Sequence, residues 1–287
     1  MNTIKRLELL DKVNKDLLAL HPKKHIVITM ACVEKVYKRN VLGINADAKT
    51  SKGYKSGAGY LTGIMYFAPA SLSGINICPK SSQGCRAACL FTAGRGRFYS
   101  INRARIVKTL AYHFDTPRFI QTIKKSIKSL LVKAKNKGLI PIVRLNGTSD
   151  ILWERNTDII QSFPLVQFYD YTKIVKRLNF TIPANYHLTV SLSEDNEIDA
   201  KFALSKGYNV AAVFRKDLPD TLWGHTVTNG DQTDLRFLDP IGHVIGLKAK
   251  GRAKTDRSGF VKDYSAVTGL DQDSMAKAYK SNPELFN

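Results

Sequence analysis

Apolar positions along the chain fall into two periods, one of helices and one of short strands. Ile4, Leu7, Leu9, Leu10, Val13, Leu17 and Leu18 recur at helical spacing and predict a short amphipathic helix near the N-terminus. A basic connection and a Gly/Ser/Lys stretch over residues 50–57 follow, so residues 1–58 read as a basic N-terminal extension ending in a linker or mobile arm. From Tyr60 onward, short apolar runs predict strands over 61–67, 140–145, 166–169, 186–191, 209–214, 226–228 and 244–247. Between the first two, helical periodicity covers 101–113 and 119–137, the second with Phe119, Ile123, Ile127, Leu130 and Ala134 on one stripe. Shorter helical segments are expected over 157–162, 172–178 and 198–206. Such alternation builds a parallel sheet, because each crossover helix returns the chain to the same end. The fold class expected is α/β, a complete or partial parallel (β/α) barrel over residues 59–262, with a short helical tail over 263–287.

The residues just after each predicted strand are polar, and in such a barrel they line the active face. The first strand leads to a cysteine-bearing loop and the second to Asn146-Gly147-Thr148-Ser149-Asp150. The third leads to Asp170-Tyr171-Thr172-Lys173, the fourth to Ser191-Leu192-Ser193-Glu194, the fifth to Arg215-Lys216-Asp217. Asn229-Gly230-Asp231 and Lys248-Ala249-Lys250-Gly251 close the series. Each has a plainer reading: Ser149 or Asp150 as a helix N-cap, Asp170 and Lys173 as a local ion pair.

With 44% hydrophobic residues and a mean hydropathy of -0.20, the 287-residue chain has the makings of a sizeable core. No apolar run approaches the roughly 18 residues of a membrane span, and the first residues do not form a secretory signal, so a cytoplasmic protein without a membrane partner is expected. Lys and Arg number 44 against 24 acidic residues, a net charge of +20, which points to a polyanion such as DNA or RNA. Two basic clusters carry that expectation: Arg95, Arg97, Arg103, Arg105 and Lys108, and Lys248, Lys250, Arg252, Lys254 and Arg257. The lysines between Lys124 and Lys137 read as a solvated helix face.

Three of the four cysteines, Cys78, Cys85 and Cys89, lie within twelve residues, and Cys32 stands apart in an apolar stretch. Three clustered thiols in a reducing compartment read as metal ligands rather than a disulfide framework. A [4Fe–4S] cluster on three thiolates leaves one iron open, whereas zinc wants a fourth ligand, such as His113 or His225. The spacing alone leaves both metals open. Gly94-Arg95-Gly96-Arg97 lacks the Lys-Ser/Thr of a phosphate loop, and no Gly-x-Ser-x-Gly elbow of a hydrolase occurs.

Several stretches together resemble the phage gene product 88 family over about residues 59–262: Asn76-Ile77-Cys78-Pro79, Gly84-Cys85, Ala88-Cys89-Leu90, Arg144 to Ile151, Tyr169 to Lys173, Asn185 to Leu188 and Gly246 to Gly251. The order of cysteine loop, Ser-Asp motif and Thr-Lys motif is more distantly similar to the phage gene product 37/68 family, which in turn looks like radical S-adenosylmethionine (SAM) barrels. That likeness implies a phage protein working in the infected host cell, with a [4Fe–4S] cluster on the three cysteines and SAM bound near Asn146, Ser149, Asp150, Ser191 and Glu194. Asp150, Asp170, Lys173 and Asp231 are then the catalytic candidates, and Arg95, Arg97, Arg103, Arg105, Lys248 and Lys250 the nucleic-acid contacts. The chain departs from the radical-SAM pattern in spacing its cysteines by six and three residues, with Ala88 before Cys89. The alternatives are a zinc-containing base-modifying or base-exchange barrel, using Asp150 or Asp231 as nucleophile or base, and a non-catalytic, metal-stapled nucleic-acid-binding protein.

Overall fold

The structure is a computed structural model that describes residues 2–24, 27–45, 49–51 and 59–263. The linker expected at 50–57 and the tail expected at 263–287 fall, but for residues 50, 51 and 263, outside the described residues. In chain order the elements are α1 (Thr3–Leu20), α2 (Met30–Val36), β1 (Gly43–Ile44), β2 (Tyr60–Ile64), α3 (Gln83–Ala87), α4 (Tyr99–Phe114), α5 (Thr116–Asn136) and β3 (Ile140–Arg144). There follow α6 (Trp153–Asn156), β4 (Gln167–Thr172), β5 (Tyr186–Ser191), α7 (Glu197–Ser205), β6 (Val210–Phe214), β7 (Thr221–Leu222), β8 (His225–Asn229), β9 (Val244–Lys248) and β10 (Val261–Lys262). Each strand expected from the apolar runs is present to within a few residues. The helix expected over 157–162 is a series of turns, squeezed between the extended Thr157 and Pro164, where too few residues remain to nucleate a helix.

The chain divides into two compact units, one of residues 1–81, 90–170 and 180–187, the other of 82–89, 171–179 and 188–287. In the first, β2 pairs in parallel with β3, and β3 with β4, while β1 runs antiparallel along the other edge of β2. Helix α5 is capped by Asp115, whose Oδ1 accepts the Arg118 N–H at 3.1 Å, and it buries Phe119, Ile123, Ile127, Leu130 and Ala134. Gly63 of β2 lets this helix close in, because a Cβ there would lie 3.1 Å from Leu130 Cδ2. The N-terminal helices are packed into this unit: Leu10, Val13 and Leu17 are buried, Asn14 exchanges two hydrogen bonds with Ile28, and Tyr37 Oη donates to Ala111 O at 2.8 Å.

In the second unit the strand order is β5-β6-β9-β8-β7. Its pairs are parallel except the β7–β8 hairpin. β10 pairs with the second half of β6, beyond the stretch of β6 that pairs with β5. Val190, Leu192, Ala203, Leu204, Val210, Phe214 and Val244 form its core.

The α/β class and the parallel pairing hold, but a closed barrel is not formed. Closure needs the outermost parallel strands to find each other. Here the outer edge of β2 is taken by the antiparallel β1, and that of β8 by the antiparallel β7. Both ladders therefore end in two-residue strands too short to recruit another.

Candidate functional site

The turn after β3 is a densely hydrogen-bonded polar segment of the first unit. Asn146, 2% exposed, is its hub: its Oδ1 accepts from Ser149 Oγ (2.8 Å), the Ile151 N–H (3.0 Å) and Trp153 Nε1 (3.2 Å). Its Nδ2 donates to Ile151 O (2.9 Å) and Asp170 Oδ2 (3.3 Å). Asp170, 1% exposed, also accepts the Asn146 N–H at 2.7 Å and Tyr186 Oη at 2.9 Å. An amide with both ends used has nothing left for a ligand. Asn146 is thus a positioning residue, and Asp170 is its anchor. Burial of so many polar atoms is tolerable because each finds a partner.

That turn lies against the segment carrying Cys78. The Asp150 N–H donates to Ile77 O at 2.9 Å, the Gly147 N–H to Met65 O at 3.0 Å, and Thr148 Oγ1 to Phe67 O at 2.6 Å. Gly147 is required, since a Cβ there would meet Met65 O at 2.6 Å. Cys78 Sγ accepts the Ala70 N–H at 3.4 Å and stands 3.6 Å from Thr148 O. The first cysteine and the Ser149-Asp150 motif are thereby brought together, as the strand order implied. Cys32 is held elsewhere in this unit, on α2, with Arg103 Nη2 at 3.0 Å from its Sγ and Thr29 Oγ1 at 3.5 Å. Burial pushes the Cys32 thiol up, but the Thr29 hydrogen bonds and the Arg103 charge outweigh it and hold the pKa below the usual thiol value.

Cys85 and Cys89 belong to the second unit, on and just after α3. Ser82 caps this short helix by accepting the Cys85 N–H at 3.0 Å, and its Oγ donates to Glu194 Oε2 at 2.7 Å. Glu194 Oε1 accepts the Gly84 N–H at 2.5 Å. A Cβ at residue 84 would run into Ser258 Oγ and Glu194 Oε1, which explains the glycine beside Cys85. Ala88 packs on Ala249, Ala253 and Val261. Glu194, expected to bind cofactor, is the residue that holds the helix of the second cysteine. In the same unit Lys173, 8% exposed, donates to Ser191 Oγ at 2.6 Å and lies 5.5 Å from the Phe260 ring.

The charged residues separate sharply. Asp231 accepts the Lys248 N–H at 2.8 Å and pairs with Lys250 Nζ at 2.7 Å, while Lys248 Nζ lies 3.8 Å from Asp217. These partners give Asp231 a lysine counter-charge and both lysines an acid of their own. Arg105 is 8% exposed and lies over the Tyr66 ring at 5.1 Å, so it is a core residue and not a surface contact for phosphate. Arg103 is turned to Cys32, leaving Arg95 and Arg97 as the exposed arginines of their cluster. Tyr186, Ser82 and Ser258 escaped the sequence reading, because a strand tyrosine and isolated loop serines carry no periodic signal.

For a metal, the donor chemistry fits: three partly exposed thiols, one already accepting a backbone N–H as metal-bound sulfurs do. Among the described residues, however, no three His, Cys, Asp or Glu side chains are grouped as a ready-made metal site. His113 and His225 form no part of such a group either; burial holds the His113 pKa below its usual value.

Fold and site define a mixed α/β protein with mostly parallel, open strand ladders and its polar turns after the strands, where ligands of open α/β sheets bind. The family model described as Gene product 88 matches residues 38–264, and the chain belongs to this phage family. Neither a curated protein nor a solved structure matches it. The wider likeness to the gene product 37/68 family and to radical-SAM barrels rests on the motifs alone. No helix among the described residues is long and apolar enough to cross a membrane.

Proposed function

We propose that this protein is an enzyme acting on nucleic acid at a metal centre held by Cys78, Cys85 and Cys89, a [4Fe–4S] cluster with SAM as its small-molecule partner. The observation that carries this reading is the placement of Cys78: its sulfur accepts a backbone N–H and lies against the turn that presents Ser149 and Asp150. A three-thiolate cluster supplies an iron with an open position and a source of one electron.

The protein's own part is positioning. Asp170 and Tyr186 fix Asn146, Asn146 fixes the turn, and the turn sets Asp150 beside the residue before Cys78. Glu194 and Ser82 fix the start of α3 and with it Cys85. Asp150 orients the small molecule and does not ligate metal.

Anaerobic purification with iron, sulfide and zinc analysis tests this. Wild type and Cys32→Ala are expected to carry iron and sulfide, and Cys78→Ala, Cys85→Ala and Cys89→Ala to lose both. Asp150→Asn should keep the iron and lose SAM affinity in calorimetry. Equal metal content in all four cysteine variants overturns the site. Zinc in place of iron replaces the radical reading with base modification at a zinc centre.

A further inference from the structure

Resting on the nucleic-acid part of that reading, we infer that the turn of residues 90–98 is a contact for single-stranded nucleic acid, in which Arg95 and Arg97 hold phosphates and Phe98 stacks on a base. Between Asp47 and Asp115 the sequence has no aspartate or glutamate and ten lysines and arginines. Within that stretch Arg95 and Arg97 are exposed, and neither side chain has a hydrogen bond or ion pair among the described residues. This sets them apart from Arg103 on Cys32, Arg118 on Glu34 and Arg215 on Asp263.

Geometry makes the turn a presenting device. Two short 3-10 turns, Leu90–Thr92 and Gly94–Arg97, are closed by N–H bonds from Ala93 to Leu90 O and from Gly96 to Ala93 O, both 3.0 Å. Gly94 has φ +50, a left-handed backbone, and a Cβ on Gly96 would lie 2.9 Å from Phe91 O. The left-handed backbone favours glycine at 94 and the close approach to Phe91 O requires it at 96, so both shape the turn that carries the two arginines. Phe98 follows, pinned at both ends: its N–H donates to Arg95 O, and its carbonyl accepts from Ile101 and Asn102. Phe98 as a residue is 52% exposed, and its ring has no aromatic or cationic partner among the described residues.

A rigid exposed aromatic flanked by cations without an intramolecular counter-charge suits unstacked bases on a phosphate backbone. A duplex hides its base faces, so it would use the arginines alone. Leu90, in the first of the two short turns, is 59% exposed.

The test measures fluorescence anisotropy of labelled oligothymidylate, oligouridylate and a DNA duplex with the full-length protein across a salt series. Arg95→Ala/Arg97→Ala should lower affinity for every probe and reduce the single-strand salt slope by about 1.4, at about 0.7 per phosphate. Phe98→Ala should weaken single-strand binding about 5- to 150-fold, with the slope and duplex binding unchanged. Gly96→Ala, which keeps the charge, should weaken single-strand binding by moving the arginines. Lys125→Ala/Lys128→Ala, an equal charge loss on the exposed face of α5, should have under about a twofold effect. If that control costs as much as the arginine pair, or Phe98→Ala changes nothing, this turn is not the contact although nucleic acid still binds. Should wild type bind no oligonucleotide at low salt, the nucleic-acid reading falls as well.

Discussion

Lys108 offers a measurement of how the interior of the first unit handles charge. It lies on α4, partly buried, one turn beyond Arg105, and has no ion pair or hydrogen bond among the described residues. Burial, and after it the Arg105 charge, pulls its pKa from 10.5 to about 8. The unfolded chain keeps this proton up to its ordinary pKa, whereas the folded protein sheds it near 8. The unfolded state therefore binds more protons across that window, and stability rises with pH through it. Below the window the ammonium costs the fold about 3 kcal/mol, from the 2.5 units between the two values at about 1.4 kcal/mol each. By pH 9.5 about 1 kcal/mol of that cost remains. Lys108→Met should accordingly be more stable than wild type at pH 7 by up to about 3 kcal/mol, and the difference should shrink by about 2 kcal/mol at pH 9.5. Urea unfolding of both proteins at the two pH values reads this directly, and other titrating groups cancel in the difference. A difference that is the same at both pH values would show that the ammonium is solvated in the fold, and the argument would fail.

Further variants test the wiring of the two units. Gly147→Ala should lose about 3 kcal/mol, because its Cβ meets the Met65 carbonyl and no flexible side chain can yield; a thermal shift within error of wild type would contradict the close approach. Tyr186→Phe should cost about 1–3 kcal/mol in urea unfolding by leaving buried Asp170 short of a donor, and its effect should be smaller once Asp170 is already asparagine. Glu194→Ala should speed hydrogen exchange of the Gly84 and Cys85 amides about tenfold or more while exchange in β9 stays as in wild type; unchanged protection at Gly84 would remove Glu194 from its positioning role. Arg103→Gln should raise the Cys32 pKa, moving its pH profile of alkylation by iodoacetamide toward higher pH, and an unmoved profile would mean that Thr29 alone sets the thiol.

Much of the framework was legible along the chain because it depends on local period. The runs over 140–145, 186–191, 209–214 and 244–247 became strands to within a residue, and the stripe from Phe119 to Ala134 became the buried face of α5. The polar turn after each strand followed from that order, which is why Cys78 could be expected beside the Ser149-Asp150 motif. Closure could not be read in the same way. The strands that block it, β1 and β7, are two residues long, and two residues carry no periodicity. Nor does charge type reveal placement: Arg95 and Arg105 look alike in sequence, yet one is exposed and the other lies in the core over Tyr66. Asp170 and Asp231 were equal candidates as acids until their neighbours became visible, Asn146 and Tyr186 around one and Lys248 and Lys250 around the other. Period and composition belong to the chain itself, whereas the work left to a side chain depends on which donors and acceptors folding places within about 3 Å of it, and those arrive from residues far away in sequence.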